Sequence, residues 1–208
     1  MEAAGLGSRQ DFLKAASSDT ALISDIDPQA ESLEGYLFPN TYEFTRAQSM
    51  HEMVAIMVKQ FRRVAGEIGL TQDFHRNVTL ASIIEKETSV PEERQEVASV
   101  YLNRLNDRVP LQADPSVIYA ELLQGAYSGA LHHDDMSFAS AYNTYHHIGL
   151  PPGPIANPGK TSLQAAMYPA DTKFLYFVSN GNGHHNFSST LEEHNRNVAA
   201  LRRAVAKR

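Results

Sequence analysis

The chain of 208 residues has no cysteine, which removes disulfides, zinc–thiolate sites and thiol nucleophiles together. It has no apolar run approaching the roughly 20 residues of a bilayer-spanning helix. Nor does it open with the basic, apolar and small-residue segments of a signal peptide. The start, Met1-Glu2-Ala3-Ala4-Gly5-Leu6, reads as a cut into a longer protein. Positive charge is also scarce: 18 Lys plus Arg stand against 24 Asp plus Glu, a net charge of −6. Nucleic-acid binding needs a basic footprint to neutralise phosphates, so that class is disfavoured. Basic residues do gather at the end (Arg196, Arg202, Arg203, Lys207, Arg208), where a solvated helix face accounts for them. There is no internal repeat and no low-complexity tract.

What is present is the composition of a globular domain, with 42% hydrophobic and 20% charged residues, enough to build a core. The length suits one compact domain, or one domain with a small appendage. Ser8 is placed to cap a short helix carrying Phe12, Leu13 and Ala16 inward and ending near Ser17-Ser18. Residues 23–31 read as loop. The aromatic stretch 33–44, broken by Gly35 and Pro39, predicts short extended pieces. From Ser49 to Ile68, Met53, Ile56, Met57, Phe61, Val64 and Ile68 recur at helical steps, and Gly69 closes the helix. Further helices are predicted over Val78–Thr88, over Glu92–Leu105 with Pro91 in the first turn, and over Ser116–Leu123. Thr161 or Ser162 caps another over Leu163–Met167, stopped by Pro169. Phe174–Val178 reads as a strand, 179–183 as a turn, His185–Ser188 as the returning strand, and Glu192–Val205 as a last helix. The fold class is therefore α+β: a helix-rich domain with a small β-hairpin near the C-terminal third. A long loop from about Gly125 to Gly159 has little regular structure, and such loops are often functional.

Three constellations could carry chemistry. In the helix bearing Leu80, Ala81, Ile83 and Ile84, Glu85 lies about 120° from the centre of the apolar face and Glu87 about 40° from it. Periodicity thus nominates Glu87 as the buried acid and leaves Glu85 at the flank. A solvated helix edge and a proton-donating carboxyl with a raised pKa both fit these residues, and the spacing does not decide. Next, His132-His133, His146-His147 and His184-His185, with Asp134 and Asp135 nearby, invite a metal reading. Neighbouring residues on a strand point apart, and there is no His-Glu-x-x-His helix, so no catalytic metal is expected. Finally, the segment Asn143 to Gly159 is dense in Pro, Gly, Asn and aromatics. It reads either as a loop stiffened by proline or as a carbohydrate-binding surface of rings and amides. Nucleophilic serine chemistry lacks its Gly-x-Ser-x-Gly elbow, and Gly181-x-Gly183 is a turn, not a phosphate cradle.

Six segments in series carry a resemblance. They are Leu33-Glu34-Gly35-Tyr36-Leu37-Phe38-Pro39-Asn40-Thr41-Tyr42, Ala81-Ser82-Ile83-Ile84-Glu85-Lys86-Glu87-Thr88 and Val100-Tyr101-Leu102-Asn103-Arg104-Leu105. Then come Leu111-Gln112-Ala113-Asp114-Pro115-Ser116-Val117-Ile118-Tyr119, Tyr142-Asn143-Thr144-Tyr145 with Gly149 to Gly159, and Tyr176-Phe177-Val178 through His185-Asn186-Phe187 to His194-Asn195. In this order they resemble the MltG (YceG-like) family of endolytic murein transglycosylases. Two departures are His184, where the family usually has Gly, and Ala113, where Thr is common.

The resemblance implies a peptidoglycan lytic transglycosylase that cleaves the MurNAc-β-1,4-GlcNAc bond, leaves 1,6-anhydroMurNAc ends and terminates nascent strands. It implies that Glu85, the first Glu of the Glu-Lys-Glu-Thr motif, is the catalytic acid/base and Glu87 a supporting residue. Gln112, Asp114, Tyr119, Asn143, Tyr145, Asn157 and His185 are then expected to line the cleft and bind sugar. No cofactor or metal is implied. Residues 1–32 would be the remnant of a preceding LysM-like region and 33–208 the catalytic domain. The partners would be glycan strands and peptidoglycan synthases. The natural protein would be anchored by one N-terminal helix at the extracytoplasmic face of the membrane, with this chain soluble. Three alternatives stay open: a non-catalytic peptidoglycan-binding module, a metal-dependent hydrolase, and a muramidase that leaves reducing ends.

Overall fold

The computed structural model describes residues 2–206; Met1, and Lys207 and Arg208 of the basic cluster, lie outside the described residues. Ser8 caps α1 (Arg9–Ser18), its hydroxyl accepting from the Asp11 amide at 3.0 Å. Phe12, Ala15 and Ala16 turn toward the core. Leu13, expected inward, is 52% exposed, because at 100° per residue it falls roughly 110° from the centre of that stripe.

Helix α2 (Met50–Ile68) starts at a capping box, with Ser49 and Glu52 satisfying each other's backbone amides, and ends at Gly69 in the left-handed region, φ 77°. Its buried stripe runs through Met53, Val54, Val58, Phe61, Val64, Ala65 and Ile68. Ile56, also expected inward, lies off that stripe and is half-exposed. Helix α3 (Phe74–Glu87) begins four residues earlier than predicted, after Asp73 at φ 53°. Helix α4 (Arg94–Asn106) follows a 3₁₀ turn at Pro91–Glu93. Helix α5 (Asp114–Gln124) takes Pro115 into its first turn and closes on Gly125. Between it and α6 (Lys160–Met167) the expected long loop holds only a 3₁₀ turn, His133–Ser137. The cap of α6 is Gly159, not Thr161 or Ser162.

Strands β1 (Tyr176–Ser179) and β2 (His185–Ser188) form one antiparallel hairpin, Tyr176 opposite Ser188 and Ser179 opposite His185. The paired strand starts two residues later than predicted. Helix α7 (Leu191–Val205) opens with a Thr190–Glu193 capping box and packs on the hairpin. Among the described residues there are thus seven α-helices and one two-stranded sheet, the helix-rich α+β arrangement that the sequence predicts. No described helix is long and apolar enough to cross a membrane.

The centre of the core is α3, whose residues 78–84 are all buried. Helix α6 and the 149–159 loop lie against it. Ala15 and Ile23, from the first 32 residues, are buried in the same cluster as Leu33, Phe61 and Ile83. The 33–44 segment, expected as extended pieces, forms no strand. Its amides at Gly35 and Leu37 are taken instead by the Asn157 side-chain oxygen, each at 2.9 Å. Gly35 is required there: φ is +90°, and a Cβ would meet Pro154 at 2.5 Å and Val78 at 2.7 Å.

Candidate active site

Two carboxylates leave the last turn of α3, and the fold treats them differently. Glu85 points at the start of α6. One of its oxygens accepts from the Ser162 hydroxyl at 2.6 Å and from the Gly159 amide at 3.1 Å. The other faces the Arg94 guanidinium at 3.6 Å, and Arg94 also bonds the Thr161 hydroxyl. Glu85 therefore works as an acceptor that fastens the N-terminus of α6, where free amides favour a negative group.

Glu87 lines an open pocket of about 250 Å³ with Tyr101, Arg104, Leu111, Gln112, Asp114, Tyr145, Phe177 and His194. Tyr101, one of the largest fully buried side chains, donates its hydroxyl to Glu87 at 2.5 Å. Part of Glu87 is open to the pocket, yet the atoms around its carboxyl are dense enough that burial dominates. Burial pushes its pKa up to about 7, the Tyr101 hydrogen bond pulls the other way, and the charge of Asp114 adds to the rise. The negative end of the α3 dipole acts in the same direction. A carboxyl poised near neutrality in an open cleft can both give and take a proton.

The remaining walls come from the motif segments. Helix α4 supplies Tyr101 and Arg104, and Asn103 ties that helix to the strand entry through the Thr172 and Phe174 carbonyls at 3.0 and 2.9 Å. Thr144 pairs with the 112–113 backbone, its carbonyl accepting from Gln112 at 3.1 Å and its hydroxyl from Ala113 at 2.9 Å. This brings Tyr145 over Asp114, to which it donates at 2.5 Å. Among the described residues no group of three His, Cys, Asp or Glu side chains is placed to hold a metal.

The family model described as YceG-like matches residues 2–200. The chain belongs to the YceG-like family. It is 41% identical over 170 residues to the endolytic murein transglycosylase of Bacillus subtilis (strain 168), covering 79% of this chain and 46% of that one. Its identity to the endolytic murein transglycosylase of Streptococcus pneumoniae (strain D39) is 35% over 176 residues, covering 80% of this chain and 32% of that one. It thus spans about half, or a third, of the length of the curated relatives it matches. A crystal structure of a yceG-like protein from Listeria monocytogenes superposes with a TM-score of 0.77 at 35% identity, over 91% of this chain and 67% of the other.

Within this YceG-like domain the predicted site residues separate. Gln112, Asp114 and Tyr145 share the pocket with Glu87; Glu85 is not among its lining residues. Tyr119 lies in a neighbouring cleft, its ring tilted against that of Tyr142 with centres 5.0 Å apart, and Glu34 and His75 close by. Asn143 is fully buried, donating to the Met136 and Phe138 carbonyls at 3.0 and 2.8 Å and accepting from the Tyr145 amide at 2.9 Å. Asn157 spends its amide on Gly35, Leu37 and Glu34. Both amides hold loops together. His185 holds Glu93 through Nδ1 at 2.7 Å and stands edge-on to Phe177, one layer behind the pocket wall. Burial alone would raise the Glu93 pKa, but the hydrogen bonds from His185 and His184 outweigh it and bring it down.

Sequence reasoning missed Tyr101, Arg104, Phe177 and His194 as site residues. The signal was available, since all four fall inside segments that carry the family resemblance. Tyr101 and Arg104 are also three apart, on one face of α4.

Proposed function

We propose that this chain is the catalytic part of an endolytic peptidoglycan lytic transglycosylase with Glu87 as its single acid/base. The observation that carries the assignment is one carboxyl, raised to about 7, at the wall of an open pocket. The names of the relatives supply the substrate. Ordinary glycosidases divide acid and nucleophile or base between two carboxylates; here one can serve in turn. Protonated Glu87 donates to the oxygen of the MurNAc-β-1,4-GlcNAc bond as the C1–O bond breaks. The resulting carboxylate then accepts the proton of the muramoyl C6 hydroxyl, whose oxygen closes on C1. Glu87 ends protonated, no water is consumed, and the product is a 1,6-anhydromuramoyl end.

The expectation that Glu85 is the acid is replaced in this reading by Glu87, because Glu85 is already engaged as the anchor of α6. Asp114, whose negative charge helps keep Glu87 protonated, is held by Tyr145. Gln112 and Tyr145 remain the sugar-contacting groups. Termination of nascent strands, contact with peptidoglycan synthases, and anchoring at the extracytoplasmic face belong to the same proposal and rest on the family alone.

The deciding experiment is digestion of purified sacculi followed by mass spectrometry of the products. Wild type and Glu85→Gln are expected to yield anhydro ends, and Glu87→Gln none. Anhydro ends from Glu87→Gln would sink the assignment, and loss of activity only in folded Glu85→Gln would restore Glu85. A second reading, hydrolysis with Asp114 as partner carboxylate, is favoured by the presence of Asp114 in the same pocket. It requires reducing ends in place of anhydro ends.

A further inference from the structure

The pocket holds two kinds of polar group. Glu87, Asp114 and Tyr145 are accounted for above. Arg104 and His194 line the same space and take no part in the proton transfers.

Arg104 is a fixed donor. Its Nε donates to the Leu175 carbonyl at 2.6 Å, and its Nη1 to the Pro110 and Leu111 carbonyls and the Gln112 side chain at 3.2, 3.1 and 3.3 Å. The guanidinium carbon sits 5.1 Å from the centre of the Tyr176 ring. Among the described residues Nη2 has no hydrogen-bond partner, and it is not one of the sealed, unpaired atoms. It is the part of the group left for the pocket. His194 stacks on Tyr176, with ring centres 5.2 Å apart. Its Nδ1 is buried and unpaired, so Nε2 is the nitrogen that a ligand can reach. Burial, and then the charge of Arg104, hold the imidazole pKa below its ordinary value, which keeps the ring neutral. A sealed N–H with no acceptor costs more than a sealed lone pair, so with Nδ1 buried and unpaired the single N–H belongs on Nε2.

We propose that Arg104 Nη2 and His194 Nε2 are a donor pair that receives an acyl oxygen of the sugar beside the scissile bond, carried by its lactyl or its N-acetyl group. Two donors without an acceptor, one of them charged, match a carbonyl or carboxylate oxygen better than a hydroxyl that must also donate. Tyr176 holds both donors, so their spacing is set before substrate arrives and little ordering is needed on binding. The assignment rests on the proposed function, since it is glycan strands that bring such oxygens to this pocket.

The test is calorimetric binding of a GlcNAc–MurNAc tetrasaccharide to the Glu87→Gln protein, with and without a change at His194. His194→Phe keeps the ring stack and removes the donor; His194→Gln keeps a side-chain N–H. The tetrasaccharide is used in three forms: intact, with the lactyl carboxyl reduced to an alcohol, and N-deacetylated. With the intact sugar, His194→Phe should raise Kd about three- to tenfold, the worth of one hydrogen bond, and His194→Gln should recover most of it. On the form that lacks the responsible acyl oxygen, the His and Phe proteins should bind alike, and that form names the source. The proposal is overturned if His194→Phe binds the intact sugar as tightly as His194. It is also overturned if the loss is equal on all three forms, or if no form binds. Sacculus digestion by the protein with Glu87 intact separates the two ideas. Absence of anhydro ends defeats the function while the binding series still decides the donor pair.

Discussion

Glu87 should make this protein less stable as the pH rises through neutrality, and Glu87→Gln should remove that penalty. A carboxyl with pKa 4.5 in the unfolded chain and about 7 in the folded one keeps its proton longer in the native state. Between those values the native state binds more protons, so stability falls as pH increases. Integrating the linkage relation from pH 5 to pH 8 gives a loss of about 2.5 kcal/mol for this one group. Glutamine can still accept from Tyr101 but has no charge to desolvate, so the loss should disappear. In urea unfolding, Glu87→Gln should match wild type within about 1 kcal/mol at pH 5. It should exceed wild type by about 3 kcal/mol at pH 8, that pH 5–8 loss added to the smaller gap already present at pH 5. For a domain of this size the pH 8 gap corresponds to a Tm difference of roughly 6–12 °C. A gap that is the same at both pH values would falsify the claim that Glu87 is held protonated by its surroundings. Greater stability together with lost activity is what a residue retained for chemistry should show.

Tyr101→Phe removes the hydrogen bond that pulls the Glu87 pKa down, so the alkaline limb of the kcat/KM profile should move up by about one pH unit; an unmoved limb refutes the link. Gly35→Ala forces a Cβ against Pro154 and Val78 at φ +90° and should destabilise by about 3 kcal/mol, read as a lower Tm. Asn157→Ala frees two backbone amides and should cost about 2–3 kcal/mol. Its folded fraction should bind glycan as wild type does; weakened binding at unchanged stability would return Asn157 to the sugar site.

Much of the fold was legible because local rules were obeyed. Ser8, Ser49, Gly69, Pro115 and Gly125 act where helix-end chemistry puts them. The errors arose where tertiary contacts outweigh pattern. Extended pieces at 33–44 were a fair reading of Gly35, Pro39 and the aromatics, but strands need a partner, and here the amides go to a side chain 120 residues further along. Under the proposed assignment the site follows the same logic. Asn143 and Asn157 have the composition of sugar ligands, and nothing local reveals that their amides are consumed by loop carbonyls and amides. Arg104 and His194 lie 90 positions apart and meet only because both pack on Tyr176.

Under the proposed assignment, periodicity in the Glu-Lys-Glu segment is a better guide to the acid than position within the motif. Residues two apart on a helix diverge by about 200°, so one cleft cannot receive both Glu85 and Glu87. Ser82 fixes which way α3 faces, since its hydroxyl donates to Thr79 and accepts from Ile155 of the 149–159 loop at 3.0 Å. With that face against the loop, Glu85 must meet the start of α6 and Glu87 must turn toward Tyr101. Glu85 is taken up by two donors at the start of α6. Glu87 is buried against Tyr101, and that burial together with the charge of Asp114 raises its pKa. The two residues thus divide the last turn of α3 between them: Glu85 fastens α6, and Glu87 faces Tyr101 and the pocket.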